Sequence, residues 1–81
     1  MPTPNHPMLP LCSAFAADPA RYLFANWLET MLMDQPQETL QDDARRLKGM
    51  LIAYLELDLV NCEQYKALAD ELNTFAFGAA A

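Results

Sequence analysis

Histidine, serine and glycine are nearly missing from this chain of 81 residues, and each shortage removes a class of chemistry. His6 is the one histidine. Zinc sites need Cys and His at short spacing, and di-iron bundles need repeated Glu-x-x-His, so neither is available. Ser13 is the one serine, and no base stands near it in the sequence. Cys12 and Cys62 lie fifty residues apart, outside any CxxC pattern. They read as two free thiols of a reducing cytoplasm, or as one disulfide tying the N-terminal arm to the last helix if the protein is exported. A Cys–His nucleophile would require His6 to meet one of them. Cys62 opens a helix, where the dipole favours thiolate, and is the candidate for a thiol-dependent activity. With two glycines, Gly49 and Gly78, no glycine-rich phosphate loop exists.

Cations are also few: 5 bases stand against 11 acids, for a formal net charge of −6. This balance disfavours direct contact with nucleic acid and adsorption to anionic membranes. Arg45, Arg46 and Lys48 fan across one polar helix face and follow Asp42 and Asp43 directly, so they form no basic stripe. No stretch of about 18 apolar residues is present to span a membrane. The N-terminus has no basic segment of the signal-peptide kind. Nothing implies a cofactor, a metal or a small-molecule substrate, and the expected location is the cytoplasm.

Val60 and Ile52 are the only valine and isoleucine, while Leu, Ala, Met, Gln and Glu abound. Those are helix formers, and the chain reads as all-α: a small three-helix bundle with a proline-rich, extended N-terminal arm. The arm takes residues 1–17, the helical domain 18–78, and a short tail 79–81. Pro2, Pro4, Pro7 and Pro10 favour extended geometry. Met8, Leu9 and Leu11 can then lie across a groove of this protein or of a partner.

The first predicted helix starts at Asp18-Pro19, a cap followed by a residue suited to the first turn. It runs to about Asp34 and stops before Pro36. At about 100° per residue, Ala20, Leu23, Phe24, Ala25, Trp27, Leu28, Met31 and Leu32 cover roughly half its circumference. Such a helix either sits between two neighbours or carries an interface. The second helix runs from Pro36 or Glu38 to Leu57. Leu40, Ala44, Leu47, Leu51 and Tyr54 make its seam, and Asp42 pairs with Arg46 on its outside. Asp58 stands in the turn that follows. Asn61 with Gln64 forms a capping box, with Val60 and Tyr65 in the staple positions. The third helix spans Cys62 to Thr74 or Phe77, with Lys66 and Asp70 paired outside.

The functional expectation is a non-enzymatic interaction or regulatory protein, dimeric or bound to a partner protein through an apolar helical face. Leu23, Trp27, Met31 and Tyr54 are the expected contacts. The alternative is an acidic inhibitor that mimics nucleic acid with Glu38, Asp42, Asp43, Glu63 and Glu71 on one surface.

Overall fold

The computed structural model describes residues 6–78. The ends, with Pro2, Pro4 and the tail 79–81, lie outside the described residues. Four helices follow in order: α1 (Pro10–Ala16), α2 (Tyr22–Met31) entered through a single 3-10 turn at Pro19–Arg21, α3 (Gln37–Glu56) and α4 (Cys62–Phe77). The protein is a small all-α bundle. α3 packs most extensively on α4 and next on α2, while α1 touches both α2 and α4. Among the described residues no helix is long and apolar enough to cross a membrane.

The hairpin of α3 and α4 forms where expected. Ala44, Leu47 and Leu51 of the seam are buried, and Leu40 and Tyr54 pack at its edges. Asp58 turns the chain with φ 61°, a left-handed conformation that Asp tolerates better than most residues. The Asn61 side chain accepts from the Gln64 amide at 2.8 Å, and the Gln64 side chain accepts from the Asn61 amide at 2.9 Å. Two amides at the start of α4 are thereby satisfied. Val60 is buried ahead of the cap. Outside the seam the ion pairs differ from expectation. Arg45 pairs with Asp42, and Arg46 lies 3.7 Å from Asp43, both at i,i+3. Gly49 faces open space.

The expected first helix is shorter than its apolar pattern. The Asp18 side chain accepts from the Ala20 amide at 2.9 Å, but the first turn is 3-10. The far end stops at Met31. There the Gln35 side-chain amide donates to the carbonyls of Thr30 and Met31 and to Asp43 Oδ2. Gln35 thus covers carbonyls that the helix leaves unpaired and fixes α2 to α3.

The arm is the main correction. Its second half is not extended: residues 10–16 are helical. Pro10 sits in the first turn, where no N–H is needed, and no further proline follows until Pro19. Leu9, Cys12 and Ala16, at helical spacing, enter the common core. α1 has no side-chain cap of its own. Glu71 of α4 supplies one, accepting from the amides of Leu11 at 2.8 Å and Cys12 at 3.0 Å. Phe15 meets Phe24 edge to face at 5.0 Å. The wide apolar arc of α2 therefore lies between α1 and α3, as the first of its two expected arrangements requires.

Candidate partner-binding cleft

α2 presents less to solvent than its composition suggests. Phe24, Leu28 and Met31, spaced i, i+4, i+7, are fully buried. Met31 is therefore a core residue rather than a contact. Trp27 is half-buried, with the Arg46 guanidinium 4.3 Å from its ring centroid. Tyr54 is half-buried beside Phe15, 5.6 Å between centroids. Of the four expected contacts only Leu23 stands open, 50% exposed. The reason is geometric. Leu23 and Trp27 lie at the edge of the arc, and the rest of it packs against α3 and α1.

The members of the acidic set stand in different surroundings. Glu71 is occupied at the start of α1. Asp43 is buried and accepts from Gln35 at 3.1 Å. Asp42 is engaged by Arg45. Glu38 and Glu63 are exposed on different helices. Among the described residues no group of three or more metal-ligating side chains converges.

The two thiols are free and in contrasting places. Cys12 is buried, with its Sγ 3.7 Å from the Leu68 carbonyl. Burial, then the neighbouring Glu71 carboxylate, pushes its pKa far above the usual thiol range, so it stays protonated. Cys62 is exposed at the first residue of α4. His6 is held rather than loose: its ring meets Phe75 edge to face at 5.2 Å, and its Nδ1 accepts from the Met8 amide. Phe75 lies thirteen residues along α4 from Cys62, about 20 Å at the rise of a helix. The two groups of a Cys62–His6 nucleophile are not brought together.

The structure does place an apolar cleft elsewhere, between α1 and α4. Its volume is about 310 Å³, and Leu11, Ala14, Phe15, Gln64, Ala67 and Leu68 line it. Gln64 is the one polar residue among them, and Leu11 is 49% exposed. The sequence signal for this site was present in residues 9–16, where apolar side chains recur at 9, 12 and 16 and leave 11, 14 and 15 on other faces. The prolines before them masked it. A second, more polar depression of about 350 Å³ lies among Arg45, Lys48, Asn73 and Phe77. Both cations stand over the Phe77 ring, at 5.2 and 5.5 Å, and Lys48 donates to Asn73 at 2.7 Å. Four of the five basic side chains thus lie over aromatic rings.

The fold and cleft define a class, a four-helix miniature bundle with an apolar furrow along its shortest helix. Comparison with family models, with curated proteins and with solved structures finds no match to this chain.

Proposed function

We propose that the chain is a non-enzymatic interaction protein of regulatory type that binds a partner protein in the cleft between α1 and α4. The observation that carries this reading is the cleft's composition. Five of its six lining residues are apolar. Small domains seldom leave such concave apolar surface without an occupant. Binding there would add apolar burial to a chain of a size that has little to spare. The partner's place is the cytoplasm, where two separate thiols remain reduced.

Extract of the source cells is passed over immobilised wild type, Ala67→Arg and Leu23→Ala. A protein retained by wild type and Leu23→Ala but lost from Ala67→Arg is the expected result. Equal retention by Ala67→Arg overturns the cleft as the binding surface. Sedimentation of the purified chain separates a partner from a second copy.

A further inference from the structure

Arg21 is set apart from the other cations. It ends the 3-10 turn before α2, and its guanidinium rests against two touching rings, 5.5 Å from Phe15 and 5.4 Å from Tyr54, whose centroids are 5.6 Å apart. Among the described residues no carboxylate pairs with it. Its Nε is buried without an acceptor, and it alone of the three guanidinium nitrogens is in that state. The Nη pair is not in that state, and no carboxylate among the described residues engages it. A guanidinium packed against a pair of rings has lost rotamer freedom and part of its hydration before anything binds. Such a fork is pre-set for a bidentate carboxylate. Phe15 joins this group to the cleft: its ring carries Arg21 and also lines the furrow.

The geometry points to an acidic side chain as part of the partner. We infer that a segment of another protein, docked by its apolar side chains between α1 and α4, places an Asp or Glu carboxylate on Nη1 and Nη2 of Arg21. This rests on the cleft reading above. Another protein is favoured over a second copy because each copy carries −6, and a self-dimer would bring those like charges together.

The test uses the full chain, isotope-labelled for NMR, with 4-phenylbutyrate and 4-phenylbutyramide as probes. The expected result is that both shift Leu11, Phe15 and Leu68. Only the carboxylate shifts the Arg21 Nε–H signal, and it binds about 10-fold more tightly than the amide, the worth of one charge-assisted pair. Arg21→Met should bring the acid down to the amide's affinity, and Arg21→Lys should give an intermediate value. Unchanged shifts elsewhere in both variants show that the fold is kept. Equal affinity of acid and amide overturns the role of Arg21 and leaves the cleft. Shifts confined to Arg45, Lys48 and Phe77 overturn it in favour of the second depression. No shift in the cleft with either probe overturns both readings. A concentration-dependent dimer that perturbs Arg21 without any probe assigns the carboxylate to a second copy and overturns the choice of another protein.

Discussion

α4 and α1 begin in opposite ways. The amides at the start of α4 are met by Asn61 and Gln64, both within three residues. The amides at the start of α1 are met by Glu71, 59 and 60 residues away in sequence. α4 spans 16 residues and α1 spans 7. A seven-residue segment is too short to be helical alone in water. Its helix exists because Leu9, Cys12 and Ala16 find a core already made by the other elements, and because Glu71 answers its N–H groups. α4 is thus a helix that the chain writes locally, and α1 is one that the fold induces. The induced helix is the one that lines the cleft, so the binding surface depends on the less independent part of the molecule.

That asymmetry can be broken from the hairpin side. Leu47→Ala empties a fully buried position of α3 and should destabilise the whole bundle by about 2–5 kcal/mol. Urea unfolding followed by far-ultraviolet circular dichroism should show one transition moved to lower denaturant. Loss of α1 signals alone, with α3 and α4 intact, would contradict the dependence of α1 on the hairpin.

Glu71→Ala should act on α1 more than on the hairpin. It removes two hydrogen bonds to a charged acceptor, worth about 1–3 kcal/mol at a half-buried site. Hydrogen exchange at Leu11 and Cys12 should accelerate, and the buried Cys12 thiol should become open to alkylation. Amides in the middle of α4 should keep their protection. A uniform loss over all four helices would mean that α1 is integral to the hairpin's stability.

The smallest effect belongs to the local cap. Asn61→Ala should cost about 1 kcal/mol, and Asn61→Gly only a few tenths. Thermal unfolding of the pair measures the difference. If Asn61→Ala costs more than Glu71→Ala, the long-range cap is the weaker of the two and the contrast inverts.

Particular residues show what could be read in advance. Asp58, Asn61 and Gln64 specified the turn and the start of α4, because turn conformations and capping boxes involve neighbours within a few residues. Leu40, Ala44, Leu47, Leu51 and Tyr54 specified the seam, because a helix repeats its face every three or four positions. Leu23, Trp27, Met31 and Tyr54 are expected as contacts, but their exposure is not legible in the sequence: Met31 is buried and Leu23 alone stands open. It depends on which helix lies over each of them. Glu71 looked like one more surface acid until α1 arrived beside it. Arg21 gave no sign in the sequence, since Phe15 and Tyr54 reach it from two other helices.

The amino-acid order alone settled the all-α class, the sites of the breaks and the long hairpin. These follow from propensities, caps and periodicities acting over a few bonds of chain. Tertiary packing decided that residues 10–16 are helical, that Met31 is hidden and that a furrow opens beside Phe15. Each of those outcomes rests on contacts between segments far apart in sequence, and no local rule contains them.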